Sequence, residues 1–268
     1  MTFRDAKNMG SEAIWLLEKA TGMNMTELRL ADDNTVLGVD EERQFLLMAE
    51  ELKNHVPLQY VLGSWGFMNL EIKCEPGVLI PRRDTETLAE EAIKYLKSFP
   101  RFSNVLDLCT GTGCVGLSLA PFCKNIVLSD ISAQAVELAK KNAELNNIGG
   151  NITFVQSDLF ESISGRFSLI TANPPYVPTD EISRLPEEVR REPMAALDGG
   201  ADGLDFYRKI IPGAYEYLLP GGSLFLETGS SQAKKVAEML HKNGYKAVVT
   251  VKDLENRDRV VHGTKTRV

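Results

Sequence analysis

The sequence is poor in the residues that hold metals or form disulfide frameworks. Its 268 residues include four cysteines and three histidines. These are Cys74, Cys109, Cys114, Cys123, His55, His241 and His262. No two cysteines form a CxxC pair, and the histidines lie far from them along the chain. The spacing therefore excludes the common zinc motifs, and we expect free thiols in a reducing, cytoplasmic compartment and no metal.

Long apolar runs and an excess of basic residues are also missing. No run approaches the roughly 20 apolar residues that a membrane-spanning helix needs, and residues 1–20 mix charges into the apolar positions, unlike a signal peptide. The net charge is -7 at pH 7 and the isoelectric point is about 5.2. Bulk charge of this sign does not hold a nucleic-acid backbone, so we expect neither a membrane nor a direct nucleic-acid partner.

What the N-terminal segment does carry is the pattern of amphipathic helices. In "SEAIWLLEKATG", Ser11 is the expected N-cap and Gly22 the expected end. The predicted buried face of this helix comprises Ile14, Leu17 and Ala20. A second helix, "DEERQFLLMAEELKNH", repeats the pattern with Phe45, Leu46, Met48, Ala49 and Leu52. The segment holds eleven acidic against six basic residues over positions 1–60, so this end of the chain is the more acidic one.

The pattern changes after residue 62. Turn residues flank two short extended runs over 63–84, which predicts a β-hairpin linker. From residue 85, strand-like runs alternate with helical ones, and Ser132 is the expected N-cap of the clearest helix. The strand-like runs are "NVLDL", "NIVLSD", "ITFVQSD", "FSLITAN" and "GSLFLETG", followed by an antiparallel pair in the tail. We therefore predict an α/β fold, with a small all-α domain over 1–62 and a mostly parallel, doubly wound sheet over 85–268.

A glycine turn follows the first of these strands. In "NVLDLCTGTGCVGLSLA", Gly111, Gly113 and Gly116 complete a G-x-G-x-x-G pattern between a strand and a helix. Such a turn lets the backbone approach a ligand at the start of the helix. Asp130 ends the next strand, where its carboxylate could accept from both hydroxyls of a ribose. This much fits a nicotinamide enzyme and a nucleoside-binding methyltransferase equally well.

Acidic residues at the strand ends favour the methyltransferase. Asp107 lies just before the glycines, where a negative charge would repel a pyrophosphate but would favour the sulfonium and ammonium groups of S-adenosylmethionine. We expect Asp107 to act through water or backbone. Asp158, at the end of a later strand, could accept from an adenine amino group while Leu159 packs on the ring. The alternatives are local backbone hydrogen bonding for Asp107, capping of the following helix for Asp130 and simple turn chemistry for Asp158.

The stretch "ITANPPYVPT" ends a strand on two prolines. Pro174 and Pro175 have no N–H, so the loop offers only acceptors, chiefly the side-chain oxygen of Asn173 and the carbonyls beside it. Two acceptors suit a planar NH2 group, which Tyr176 could stack on or shield from water. Acceptors on both protons return electron density to the nitrogen, so methyl transfer by in-line displacement needs positioning more than a strong base.

Several blocks together resemble the methyltransferases that modify the glutamine side chain of class I peptide chain release factors on N5. The matching blocks are "PLQYVLGSWGF", "GVLIPRRDTETL", "VLDLCTGTGC", "SDLF", "NPPYVP", "EEVRREPMAALDGGADGLDFYRKI", "LPGGSLFLETG" and "RDRVV". The sequence departs from the family pattern at Arg83, Leu159, Thr228 and Glu255-Asn256, none of which lies in the proposed amide holder.

The resemblance implies a seven-stranded methyltransferase sheet, a helical substrate-docking domain, S-adenosylmethionine as cofactor and the glutamine of a Gly-Gly-Gln motif as substrate. It assigns cofactor binding to Cys109, Thr110, Gly111, Thr112, Gly113 and Asp130, and the glutamine amide to Asn173, Pro174, Pro175 and Tyr176. It also places Asn173 beside the methyl donor. We expect a monomer.

Three other functions stay open. Adenine-N6 methylation of DNA or RNA would use the same acceptors, but it calls for a basic surface to hold the phosphate backbone. A nicotinamide oxidoreductase would explain the glycines but neither Asp107 nor the two prolines. A non-enzymatic binding module of the same fold would have no need to retain Asn173, Pro174 and Pro175.

Overall fold

The computed structural model describes residues 1–98 and 104–266. It divides the chain into two compact units. The first comprises Met1–Ser64 and Pro186–Arg191, and the second comprises Trp65–Leu185 and Glu192–Val268. None of the described helices is long and apolar enough to cross a membrane. All four cysteines are free thiols, as predicted.

The described residues form helices and strands that are numbered here along the chain. The α-helices are α1 Phe3–Lys7, α2 Ala13–Thr21, α3 Met25–Leu30, α4 Val39–Lys53, α5 Leu58–Leu62, α6 Arg83–Ser98, α7 Cys114–Leu119, α8 Ala133–Leu145, α9 Glu187–Arg190, α10 Asp205–Tyr217 and α11 Ala233–Lys242. The strands are β1 Ser64–Phe67, β2 Leu70–Lys73, β3 Asn104–Leu108, β4 Asn125–Asp130, β5 Ile152–Gln156, β6 Phe167–Ala172, β7 Leu218–Glu227, β8 Lys246–Lys252 and β9 Asp258–Thr264. Short 3₁₀ helices span Ala120–Phe122, Thr179–Arg184 and Met194–Ala196.

The first predicted helix corresponds to α2, with two corrections. Its N-cap is Glu12, which makes no side-chain capping bond, so the prediction of Ser11 was wrong. The helix buries Ala13, Leu16 and Leu17 rather than the predicted Ile14, Leu17 and Ala20, because it carries more apolar residues than one face can hold. Gly22 ends the helix in the left-handed conformation, as predicted.

Helix α4 buries one face and leaves a second apolar face in water. Phe45, Met48 and Ala49 are buried, as predicted. Leu46 was predicted to be buried but is 42% exposed, and Val39 and Leu47 are 86% and 61% exposed. We call Val39, Leu46 and Leu47 the α4 patch. The apolar run is wider than one helix face, so it cannot all turn toward the same core.

A segment far along the chain completes the first unit. Helix α9 places Glu187 and Glu188 beside the ring of His55, with N–O distances of 3.4 and 3.1 Å. The Arg191 guanidinium donates to the carbonyl of Asn54 at 3.0 Å. The sequence pattern did not indicate this packing, since local periodicity carries no information about contacts between segments more than 100 residues apart.

The second unit contains the predicted α/β fold. Its seven-stranded sheet has the order β5-β4-β3-β6-β7-β9-β8. Strands β3 to β7 pair in parallel, and β9 runs antiparallel to both of its neighbours. Helices α6 to α8 cover one face with an apolar core, and α10 and α11 cover the other. The prediction of a mostly parallel, doubly wound sheet closed by an antiparallel pair is confirmed.

The strand order sets where a ligand can bind. From β3, the chain first builds outward through β4 and β5, and then returns to add β6 on the other side. The carboxyl ends of β3 and β6 therefore flank a topological switch point, where open α/β sheets have a crevice. Beside it, the β1–β2 hairpin is joined to α8, because Asn142 exchanges hydrogen bonds of 2.7 and 3.3 Å with the backbone of Lys73.

Candidate active site

A cavity of about 690 Å³ opens at this switch point. All of its lining residues belong to the second unit. It brings together most of the residues predicted from the sequence: Asp107, Cys109, Thr110, Gly111, Thr112, Asp130, Asp158, Leu159, Asn173 and Pro175. Gly113, Pro174 and Tyr176 do not line it. Its size is within the usual range for a cofactor or small-molecule site.

The glycine turn forms the floor between β3 and α7. Gly111 and Gly113 have φ values of +54° and +85°, which a side chain would make costly. At Gly113 a Cβ atom would also lie 3.0 Å from the Cβ of Ala139 on α8. Cys109 has φ +54° although it is not glycine, so the backbone is strained where it meets the cavity. Burial raises the pKa of its thiol well above the usual value, so Cys109 is a neutral wall rather than a nucleophile.

Asp107 is buried beneath this turn and holds it in place. Its Oδ2 accepts from the Thr110 hydroxyl at 2.6 Å and from the Gly116 N–H at 3.1 Å. Its Oδ1 accepts from the Thr171 hydroxyl on β6 at 2.7 Å. Burial raises the pKa of Asp107 to about 6, although all three hydrogen bonds act to lower it. The carboxylate thus ties β3, β6 and the start of α7 together at the wall of the cavity.

Asp130 ends β4 and faces the same cavity. Its Oδ2 accepts from the Gly111 N–H at 2.9 Å and its Oδ1 from the Ser132 N–H at 3.0 Å. Burial raises its pKa, and these backbone donors act against that shift. Each carboxylate oxygen keeps a free lone pair for a ligand. Ser132 caps α8 through a 3.2 Å bond from the Ala135 N–H, which confirms that predicted cap.

Asp158 and Leu159 form the wall that follows β5. Leu159 has φ +46°, an unfavourable conformation for a leucine. The turn is supported by Ser157, whose hydroxyl donates to the Leu159 carbonyl at 3.0 Å and accepts from the Ser162 N–H at 2.9 Å. Like Cys109, Leu159 combines backbone strain with a place in the cavity wall, which is typical of ligand sites.

The Asn-Pro-Pro-Tyr segment leaves the end of β6. Asn173 lines the cavity, and its Nδ2 donates to the Thr85 hydroxyl on α6 at 3.2 Å. Tyr176 faces Glu227 instead, with its hydroxyl 3.4 Å from Oε1, and its carbonyl accepts from Gln232 at 2.8 Å. Pro174 and Pro175 are buried between these two anchors.

Several lining residues were missed because they come from outside the strand ends. Val78 and Ile80 come from the segment between the hairpin and α6, Thr85 comes from the first turn of α6, and Met194 and Phe206 come from beyond Tyr176. Arg82 is held there by an ion pair with the buried Glu192, which also accepts from the Ile80 N–H. The only sequence signal for these residues was that they fall within the blocks that carry the family resemblance.

The charges of the lining residues suit a cationic ligand. Asp107, Asp130, Asp158 and Asp198 line the cavity, against the single basic side chain of Arg82 among the described lining residues. The hydroxyl of Ser129, beside Asp130, is buried and makes no hydrogen bond within the described part of the chain. Acceptors for a ribose and a surplus of negative charge fit S-adenosylmethionine better than a dinucleotide.

The fold and the cavity define an S-adenosylmethionine-dependent methyltransferase. Residues 2–63 match the PrmC N-terminal domain family and residues 85–191 match the Methyltransferase small domain family. The protein named Release factor glutamine methyltransferase from Geobacter sulfurreducens is 41% identical over 264 residues, covering 97% of this chain and 91% of that protein. The protein of the same name from Thermodesulfovibrio yellowstonii is 40% identical over 244 residues, covering 89% of this chain and 87% of that protein. The chain belongs to the release factor glutamine methyltransferase family.

A solved structure supports the fold independently. The T. thermophilus 16S rRNA N2 G1207 methyltransferase, in complex with AdoMet and guanosine, aligns with a TM-score of 0.55 at 20% identity. The alignment covers 75% of this chain and 49% of that chain.

The family membership does not favour the adenine-N6 alternative for this chain.

If Asp130 accepts from the ribose hydroxyls, as its sequence position predicts, Asp130→Ala should weaken S-adenosylmethionine binding by about tenfold or somewhat more, because charge-assisted hydrogen bonds would be lost. Calorimetry of the full chain measures this. A cofactor analogue without the two ribose hydroxyls separates binding from folding, since it should bind the wild type and the variant equally. If the substitution weakens binding of the analogue as much as binding of the cofactor, Asp130 acts only by shaping the Gly111 turn.

Proposed function

We propose that the protein transfers a methyl group from S-adenosylmethionine to the side-chain amide nitrogen (N5) of glutamine in the Gly-Gly-Gln motif of class I peptide chain release factors. When bound, the cofactor supplies an electrophilic methyl group. The acceptor is a weak nucleophile, since its lone pair is delocalised into the carbonyl. The chain must therefore hold the amide in line and polarise it.

The orientation of Asn173 is the observation that carries this proposal. Because its Nδ2 donates to Thr85, its Oδ1 is the end left for a ligand, and Oδ1 makes no hydrogen bond within the described part of the chain. Pro174 does not itself line the cavity, but it lies between Asn173 and Pro175, which do, and its carbonyl likewise accepts no hydrogen bond from the described residues. Two such acceptors match the two protons of one amide NH2 group. They would return electron density to the nitrogen and aim its lone pair at the methyl group.

The remaining residues would hold the cofactor and exclude water. We assign Asp130 to the ribose, Asp158 and Leu159 to the adenine, and Cys109–Gly113 to the surface along which the cofactor lies. Tyr176 would support the two acceptors from behind and would not contact the substrate through its hydroxyl, because that hydroxyl donates to Glu227. Asp107 would act indirectly, because its three bonds hold the turn.

We assign substrate selection to the first unit. Every glutamine offers the same NH2 group, so selectivity must come from contacts remote from the reacting atom. The α4 patch, in a segment with eleven acidic and six basic residues, suits a partner surface with an apolar centre and a basic rim. The domain plan that follows is a docking unit over 1–62, a hairpin linker over 63–84 and a methyltransferase domain over 85–268.

We further propose that the protein acts as a monomer in the cytoplasm, on a protein substrate without direct contact to nucleic acid. Release factors act during translation, which places the substrate there. The acidic net charge of -7 supports the absence of a nucleic-acid partner.

One experiment tests the whole proposal. The full chain is incubated with methyl-labelled S-adenosylmethionine and, separately, with a release factor, with duplex DNA and with RNA. We expect label only on the release factor, and peptide mass spectrometry should locate it on the glutamine of Gly-Gly-Gln. Label on adenine, or on other glutamines of the factor, would overturn the assignment.

A further inference from the structure

A buried glutamine outside the cavity lining holds the end of the Asn-Pro-Pro-Tyr segment. Gln232 lies at the N-terminus of α11 and is 7% exposed. Its Nε2 donates to the carbonyl of Tyr176 at 2.8 Å and to the carbonyl of Gly203 at 3.3 Å. Its Oε1 accepts from the Gly229 N–H at 3.2 Å. Both amide protons and the amide oxygen of this side chain are therefore paired with backbone groups.

The chemistry of these contacts requires a glutamine at this position. Exchanging Nε2 and Oε1 would set an oxygen against two carbonyl oxygens and an N–H against an N–H, so only one orientation of the amide satisfies all three partners. Leaving the partners buried and unpaired would be costly. A methionine of similar length offers no donor, and an ionised glutamate offers acceptors alone.

Two glycines leave room for the backbone that Gln232 holds. The Gly199 N–H donates to the carbonyl of Val177 at 2.8 Å, so this glycine lies directly beside the end of the segment. A Cβ atom at Gly199 would lie 2.7 Å from the Cα of Tyr176. A Cβ atom at Gly203 would overlap both the Tyr176 carbonyl and the Gln232 side chain. The close approach of the chain to Gln232 therefore depends on bare backbone at both positions.

The anchor at Tyr176 matters because the two prolines before it cannot be held by N–H groups of their own. Pro174 and Pro175 donate no backbone hydrogen bond, and their rings fix φ, so a displacement at one end of the segment is passed along it. Asn173 is held at the other end by its bond to Thr85. The position of the Pro174 carbonyl therefore depends on both anchors.

We propose that Gln232 is a positioning residue for methyl transfer. By fixing the Tyr176 carbonyl, it keeps the Pro174 carbonyl where the substrate amide needs its second acceptor. This inference rests on the proposed function of the segment as an amide holder. Misplacing a group by about 1 Å at a reacting centre costs about 10² in rate, so loss of this anchor should appear in kcat. Gln232 lies outside the cavity lining, so cofactor affinity should change little.

The activity test uses Gln232→Met, which keeps the length of the side chain but removes both donors. Its kcat at saturating cofactor and release factor should fall about 10- to 50-fold. The KM for the factor and the Kd of S-adenosylmethionine should stay within about threefold of the wild type, because neither ligand contacts Gln232. Steady-state kinetics and calorimetry of the full chain measure the three quantities.

A pair of glycine variants tests the same anchor with Gln232 intact. Gly199→Ala pushes directly on the backbone of Tyr176 and should lower kcat while leaving cofactor affinity unchanged, as Gln232→Met does. Gly149→Ala is the matched control, since Gly149 is exposed and a Cβ atom there would meet no other atom within 4 Å. Its kcat should equal that of the wild type.

A second measurement does not depend on turnover. In a full chain labelled with ¹³C-carbonyl tyrosine and ¹⁵N-valine, only a peptide bond from tyrosine to valine gives a coupled NMR signal. The sequence has two such bonds, Tyr60–Val61 and Tyr176–Val177, and Tyr60→Phe assigns them by removing the first. In Gln232→Met the carbonyl signal of Tyr176 should shift, because its hydrogen bond is lost, and that of Tyr60 should stay.

The two measurements separate failure of this inference from failure of the proposed function. If the wild type methylates no release factor, the proposed function fails, and the Tyr176 signal still decides whether Gln232 holds that carbonyl. A shifted signal together with a lower kcat and unchanged cofactor affinity establishes the positioning role. An unshifted signal, or a kcat within about threefold of the wild type, would overturn it. Parallel losses of kcat, cofactor affinity and thermal stability in Gln232→Met would also overturn it, since they indicate a merely structural role.

Discussion

Asn173→Ala should lower kcat for methyl transfer to an intact release factor by about 10²–10³, the usual effect of removing one preorganised polar group at a reacting centre. The loss should fall on kcat, because the acceptor matters most when the amide nitrogen is forming its new bond. Cofactor affinity should change by less than about threefold, since Asp130 and the turn after β3 are untouched. Single-turnover rates and calorimetry separate the two quantities.

Two further variants sharpen the test of Asn173. Asn173→Asp keeps side-chain acceptors but cannot donate to Thr85, so we expect an intermediate rate if the acceptor is what matters. Asn34→Ala removes an exposed asparagine side chain of the first unit and serves as the control. If Asn173→Ala stays within a factor of three of the wild type while Tyr176→Phe is inactive, the amide is held by Tyr176 instead.

The fold could be predicted from the sequence because its signals are local. The strand that carries Asp107, the glycine turn after it and the helix that follows are each indicated by their own residues. The alternation of strands and helices after residue 85 then allows few other topologies. The predicted N-cap Ser132 is an example of such a local signal, since a capping bond involves only the three residues that follow it. The errors in predicted burial arose where a helix carries more apolar residues than one of its faces can hold, as with Leu46 of α4 and with the buried stripe of α2.

The candidate site was predictable only along its strand ends. Glu227 and Thr85 carry no local signal, since their contacts with Tyr176 and Asn173 join positions 51 and 88 residues apart. A tyrosine after two prolines indicates a rigid aromatic group, but only tertiary packing decides that its hydroxyl reaches Glu227. The packing of the segment 186–191 with His55 could not be predicted either, because it also joins positions far apart along the chain.

That packing also decides how the docking role of the first unit should be tested. Deleting the N-terminal segment would remove the partners of Glu187, Glu188 and Arg191 and would confound docking with folding. Point substitutions in the α4 patch avoid this problem, since Leu46 and Leu47 are 42% and 61% exposed and lie outside the buried core.

Replacing Leu46 and Leu47 together with lysine should lower kcat/KM on an intact release factor by about 30- to 100-fold, the cost of losing a hot spot at an interface. The lysines remove the apolar centre and also repel a basic rim. Turnover of a short Gly-Gly-Gln peptide, which lacks the rest of the factor's surface, should be unchanged. Steady-state kinetics on both substrates measure the difference. The wild-type rate on the intact factor should also fall with added salt, because exposed charges are screened beyond about 8–10 Å.

Leu254 provides the matched control, because it is 85% exposed and belongs to the second unit. Leu254→Lys makes one such leucine-to-lysine change on a surface to which we assign no docking, so its kcat/KM on the intact factor should stay within about twofold of the wild type. Thermal unfolding of both variants checks that the first unit remains folded. Equal losses on factor and peptide would mean that α4 supports the catalytic unit, and equal losses in both lysine variants would mean that added charge alone is responsible. Only a loss confined to the α4 variant and to the intact factor assigns recognition of the substrate to this patch.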